Sequence, residues 1–325
     1  MTPVSPRRLL VFLPVAVSLL FGSCRQSPVT IAVIPRTCGT RLWEPFHAGA
    51  AIEAHKNGLH IYWNAPTQEN DVEKQIGFLS LALERGYRGV VVAPDESLVF
   101  RTPVQQFLSR HLPVVIVDDE LGLPHDADLS YVLNDEVTGG RLAARRVAAR
   151  LHGKGAVALL GINPELESIT ARQHSFEQTL ALEAPQIHIT IRELGDDPTI
   201  PHEQQIAETV LHAFPPVNAI VALSGSATRG AYYAKVESHD TTDVLLVGFD
   251  QELLPPISSG EIDAVVIQNA PEIGRLALAN IAARLKGESI PETVSVQPVL
   301  LTRQNLDSPS THQMWHDARF PWSEQ

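Results

Sequence analysis

Val90-Val91-Val92-Ala93-Pro94-Asp95 and, after an amphipathic stretch, Val114-Val115-Ile116-Val117 form the segment whose reading decides the fold. Continuous runs of Val and Ile are the mark of strands buried on both faces, since neither face then needs polar residues. The stretch between them predicts a helix near Pro103–Arg110. The same rhythm extends in both directions. Upstream lie a strand at Val29–Ile34, a helix near Phe46–Asn57, a strand at His60–Asn64 and a helix over about Asp71–Arg85, with Ile76, Leu79 and Leu83 at helical spacing. The pattern restarts after Asn134 with a helix at Thr138–Arg150, a strand at Ala156–Leu160 and a helix over about Ala171–Leu182. Further strands fall at Ile187–Ile191, Ala219–Ala222, Val244–Val247 and Ala264–Ile267, with helices between them. Strands interleaved with helices imply right-handed βαβ crossovers and parallel sheets. Two such series predict an α/β fold of two doubly wound, Rossmann-like lobes.

Composition agrees with this and narrows the function. The chain has 325 residues, 44% of them hydrophobic, enough for packed cores and, at one domain per ~150 residues, for two of them. Acidic residues number 37 against 25 basic ones. A net charge of −12 repels phosphate backbones and argues against a nucleic-acid partner. Two cysteines make neither a disulfide framework nor a four-cysteine zinc site.

The N-terminus reads as an address. Arg7 and Arg8 precede an apolar run from Leu9 to Gly22 that is too short to span a bilayer comfortably but fits the core of a signal peptide. The run ends Leu20-Phe21-Gly22-Ser23-Cys24, which resembles a bacterial lipoprotein signal in which Cys24 becomes the lipidated first residue; simple cleavage after Ser23 is the alternative. Residues 1–23 are therefore expected to be the signal, and 24–28 a polar tether.

The ordered motifs carry a more specific resemblance. Pro45-Phe46 follows the first strand, and Val92-Ala93-Pro94-Asp95 ends the third. Asn134-Asp135 precedes Gly139-Gly140, Arg172 stands four residues before Phe176, and Val247-Gly248-Phe249-Asp250 precedes Gln268 and Pro271-Glu272-Ile273-Gly274. This order resembles the type I periplasmic sugar-binding proteins, the ribose- and galactose-binding group that serves ABC importers, over roughly residues 29–302. The resemblance implies two lobes joined by a hinge of three crossovers, with a ligand clasped between them. The expected N-terminal lobe is 29–134 plus about 269–297, the C-terminal lobe 135–268 plus about 298–304, and a tail 305–325.

In that frame each site candidate has a role. Asp250 supplies a carboxylate for two hydroxyls, or caps the helix that follows. Phe249 beside it offers an apolar face. Arg172 offers a planar fork of donors for two sugar oxygens, or a surface salt bridge. Gln268 suits a hydroxyl or caps the hinge. Asp95 is the second carboxylate, with Glu96 next to it, and Asn134 touches ligand or fixes a turn. Trp43 and Phe46 are aromatic platforms for the C–H face of a sugar, unless they belong to the core. Ser224-Gly225-Ser226 stands where relatives commonly carry Asn-Asp, so hydroxyl recognition on that wall is expected to be reduced, with Trp43 or Glu44 of the first loop as possible substitutes.

The expected function is an extracytoplasmic solute-binding lipoprotein, anchored to a membrane of the cell envelope, that delivers a sugar or sugar-like ligand to an ABC permease. A sensor presenting ligand to a membrane signalling protein is the alternative. The chain is expected to be a monomer, without cofactor or metal, and not an enzyme. Gly225–Gly230 lacks the Lys-Ser/Thr of a phosphate loop, and no Gly-x-Ser-x-Gly elbow occurs. His312 and His316 have a metal-ligand spacing but no third ligand.

Overall fold

The computed structural model describes residues 29–38, 43–68, 70–195, 197, 199–238, 243–309 and 311. Cys24, the signal segment, His312 and His316 lie outside them. The first series runs β1 (Val29–Ile34), α1 (Trp43–Lys56), β2 (Leu59–Trp63), α2 (Val72–Glu84), β3 (Val90–Val92), α3 (Ser97–Leu108), β4 (Val114–Val117) and β5 (Leu129–Asn134). The second runs α4 (Glu136–Arg150), β6 (Lys154–Ile162), α5 (Glu167–Glu183), β7 (Gln186–Leu194), α6 (Ile200–Leu211), β8 (Ala219–Ala222), α7 (Gly225–Glu237), β9 (Leu245–Gly248), α8 (Leu254–Ser259) and β10 (Ala264–Ile267). After it come α9 (Ala270–Leu285), β11 (Thr293–Val296) and β12 (Val299–Thr302).

These strands form two six-stranded sheets, ordered β11-β5-β4-β3-β1-β2 and β12-β10-β9-β8-β6-β7. Pairing is parallel except for β12, which runs antiparallel to β10. Alternate residues of each sheet feed two apolar layers, one per face: Val91 and Val115 go to one and Val90 and Val114 to the other. The second sheet divides the same way, Val157 and Val221 against Ala158 and Ile220. Burial on both faces is why these strands read as unbroken apolar runs.

The chain passes between the lobes three times, at Asn134–Glu136, Ile267–Ala270 and Val296–Val299. Two helix pairs beside these crossovers pack backbone to backbone. A Cβ on Gly274 of α9 would lie 2.1 Å from the Phe46 carbonyl oxygen of α1, and one on Gly140 of α4 would lie 2.3 Å from that of Arg172 in α5. Gly139 lies against the Phe249 ring, where an added Cβ would meet Cε1 at 3.2 Å. The glycines of the Gly139-Gly140 and Pro271–Gly274 motifs thus set the seats of Arg172, Phe249 and α1.

Two expectations need correction. α3 begins at Ser97, not near Pro103, and Pro103 lies inside it. Phe100, Val104 and Phe107 are all fully buried at helical spacing, and their burial outweighs the proline's lost hydrogen bond. β5, β11 and β12 all fall outside the predicted strands; Leu129–Asn134 lacks a run of β-branched residues. Beyond β12, Leu306 packs against the second lobe's core, and Thr311 is buried and donates to the Asn305 carbonyl.

Candidate functional site

Strand ends of both sheets converge on a cavity of about 330 Å³. The first lobe contributes Arg36 after β1, Trp43 at the start of α1, Asp95 and Glu96 after β3, Asp118 after β4 and Asn134 at the end of β5. The second contributes Arg172 on α5, Ser224 and Arg229 at and on α7, Phe249 and Asp250 after β9, and Gln268 after β10. This is where open α/β sheets expose their ligand sites, since loops at the carboxyl ends of parallel strands leave a crevice.

Nine of the ten expected site residues line this cavity: Trp43, Asp95, Glu96, Asn134, Arg172, Ser224, Phe249, Asp250 and Gln268. Phe46 does not. It is 2% exposed and stands edge-on to Trp43 at 5.7 Å, lining only a small adjoining pocket with Val117 and Ile273. One turn into α1, its ring faces the sheet and α9, so it supports Trp43 rather than offering a platform. Glu44 is exposed and does not line the cavity.

Arg172 is a buried ion-pair member, not a surface one. Its Nε and Nη2 both donate to the Glu136 carboxylate, the second at 2.7 Å, and Nη1 donates to the Leu223 carbonyl at 2.8 Å. Its guanidinium lies over the Phe249 ring, 4.8 Å from the centroid. The fork expected to meet ligand is thus largely occupied by Glu136, which sequence reasoning passed over. Glu136 also accepts from Asn134 Nδ2 at 3.0 Å and from Gln268 Nε2 at 3.4 Å. Gln268 reaches Asp118 Oδ1 at 3.4 Å as well, so one amide on a crossover touches both lobes.

Asp250 is 5% exposed and does not cap a helix: α8 begins at Leu254 with Leu253 as its cap. Oδ1 accepts from the Glu252 backbone N–H, while Oδ2 lies 3.0 Å from Arg229 Nε. Burial lifts its pKa to about 6, opposed by the Arg229 guanidinium and by the hydrogen bond from the Glu252 backbone, with the Glu252 carboxylate adding to the rise. Arg229 also reaches Glu252 at 3.4 Å. The wall expected to lose polarity at Ser224-Gly225 is therefore refurnished by an arginine one turn further along α7. Ser224 itself caps α7 by accepting from the Ala227 N–H at 3.2 Å.

On the facing wall Arg36 lies 3.0 Å from Asp118 and 3.5 Å from Asp119. Asp118 holds φ at +73°, a left-handed backbone that a non-glycine residue adopts at a cost. Burial raises Asp119 to about 6, with Arg36 pulling it down and Asp118 pushing it up. Asp95 is held by Gln75, a fully buried residue whose side-chain oxygen accepts from the Asp95 N–H while its Nε2 donates to Pro35 and Ala93 carbonyls. Asp118 was findable by the rule that exposed Asp95 and Asp250, since it directly follows the β4 run. Glu136 and Arg229 sit on helices, where no strand end marks them.

Among the described residues no group of three or more His, Cys, Asp or Glu side chains could hold a metal ion, and no helix is long and apolar enough to cross a membrane.

Comparison with known proteins agrees with this architecture. The family model described as a periplasmic binding protein domain matches residues 31–289. The ribose import binding protein of Escherichia coli is 24% identical over 294 residues, covering 89% of this chain and 96% of its own length. The D-allose-binding periplasmic protein of the same organism is 24% identical, covering 85% and 91% respectively. An ABC transporter solute-binding protein from Agrobacterium vitis, solved with bound alpha-D-tagatopyranose, superposes with a TM-score of 0.81 at 22% identity, covering 88% of this chain and 98% of its own.

Proposed function

We propose that this chain, which belongs to the periplasmic binding protein domain family, captures a sugar or sugar-like ligand between its two lobes and delivers it to an ABC importer. The observation that carries this reading is the make-up of the cleft. The rings of Trp43 and Phe249 stand among carboxylate, amide and guanidinium groups contributed by both lobes. Sugars present C–H faces to rings and hydroxyls to polar groups at the edges, so this mixture suits them. Relatives named for ribose and D-allose support the same class. The chemistry is binding, not catalysis: a ligand that touches both lobes stabilises the state in which they are closed.

The test is a thermal-shift screen of the full chain against pentoses, hexoses and polyols. A ligand that binds only the folded state at a hundredfold excess over its Kd stabilises it by ~2.7 kcal/mol, a clear rise in Tm. A complete sugar and polyol panel without a shift would count against the reading.

The extracytoplasmic placement rests on the N-terminal signal, and the same proposal takes Cys24 as the acylated anchor. Cys24→Ala is expected to move the protein from the membrane fraction to the soluble fraction. Mass spectrometry finding an unmodified Cys24 in the native protein would exclude the anchor.

A further inference from the structure

The guanidinium groups of the cleft are already engaged. Arg36 lies on Asp118 and Asp119, Arg172 on Glu136, and Arg229 on Asp250 and Glu252. Five carboxylates thus face three cations, and Asp95, Glu96 and Glu165 on the same cavity enlarge the excess. Charge by itself names no ligand, but a second observation points the same way. Two side-chain oxygens in the wall are buried without a hydrogen-bond partner: Asn134 Oδ1, in a residue 6% exposed, and Asp250 Oδ2, in one 5% exposed. The Asn134 amide has a fixed sense, because its Nδ2 donates to Glu136 and a carboxylate can only accept. Its carbonyl oxygen is left over. Asp250 Oδ2 lies near Arg229 Nε, yet the pair lacks the geometry of a hydrogen bond. Both unfilled positions call for donors.

A hydroxyl brings one donor and no charge. An ammonium brings three donors, no acceptor and a positive charge, which a cavity with excess carboxylate rewards most. Burial that makes the Asp250 charge unfavourable acts in the same direction, since a cation beside it relieves the cost. Trp43 Nε1, also buried without a partner, supplies a donor for a ligand oxygen, so the molecule needs hydroxyls too. Building on the sugar reading above, we infer that the cleft selects a polyol bearing a protonated amine, an amino sugar or amino cyclitol, over the neutral sugar of the same shape.

Calorimetry on the full chain at pH 7 tests this with matched pairs: D-glucosamine against D-glucose, D-galactosamine against D-galactose, and an amino-deoxyinositol against inositol. In the best-binding pair the amine should bind at least tenfold more tightly than its hydroxyl counterpart. Its N-acetyl derivative, which has lost the charge, should lack that advantage. Glu252→Gln removes one carboxylate at the rim and should cut the amine's preference over its neutral counterpart about threefold, whatever it does to the affinity of both. Neutral members binding as tightly as amines in every pair that binds would overturn the amine selectivity and leave the sugar reading standing. If no member of any pair binds and no other sugar stabilises the fold, both fall together.

Discussion

Asp250 lines the cleft and Asp119 lies behind its facing wall, beside Arg36, and both carry a cost of burial. Each is lifted to about 6 chiefly by desolvation, against the pull of Arg36 and Arg229 respectively. A folded-state pKa above the unfolded one means that the folded chain holds these protons more tightly. The stability they confer is complete below about 4, where unfolded Asp titrates, and is lost as pH rises through about 6. A carboxyl raised this far is worth on the order of 2–3 kcal/mol per group. The ligand-free protein should therefore gain stability from these two groups as pH falls from 7 towards 5. Asp250→Asn is expected to raise the urea midpoint at pH 7 and to flatten its rise towards pH 5. A midpoint profile that matches the unsubstituted protein's would show that Asp250 is not held in its unfavourable charged form.

At the scale of elements, the sequence displayed what one strand or one helix decides alone. Val90–Val92, Val114–Val117, Ala219–Ala222 and Ala264–Ile267 appear as strands at the expected residues, because burial on both faces leaves an unmistakable run. The residues directly after such strands, Asp95 and Asp250, reach the cavity for the same reason. What stayed hidden depends on pairs of elements. Thr293–Val296 is a strand only because β5 offers it an edge. Arg172 looks like an open fork until α4 is laid against α5 through Gly140, which places Glu136 beneath it. Arg229 looks like a surface residue of α7 until the loop after β9 brings Asp250 and Glu252 to it. Phe46 shows the opposite error: a ring near a strand end reads as a platform, while the packing of α1 on α9 turns it inward.

Under the proposed capture of a ligand between the two lobes, bonds that cross from one lobe to the other set how readily it leaves. One has a clear physical role. Asp119, after β4 of the first lobe, accepts from the Ser168 N–H in the first turn of α5 in the second, at 3.3 Å. The cap residue of α5, Leu166, provides no side-chain hydrogen bond of its own. A carboxylate from across the cleft thus does the work of an N-cap, and it meets the positive end of the helix only while the lobes are together. N-capping bonds are worth about 1 kcal/mol, equivalent to about a fivefold change in the balance between open and closed states. Asp119→Ala is expected to speed dissociation of a bound sugar about fivefold in stopped-flow measurements. Asp119→Asn keeps an acceptor oxygen while losing the charge, so it should fall between the two. Because Asp119 also steadies Arg36 at 3.5 Å, the association rate serves as the control: a loosened wall would slow capture, whereas a lost cross-lobe cap speeds release alone. An unchanged dissociation rate in Asp119→Ala would show that the closed state is held elsewhere.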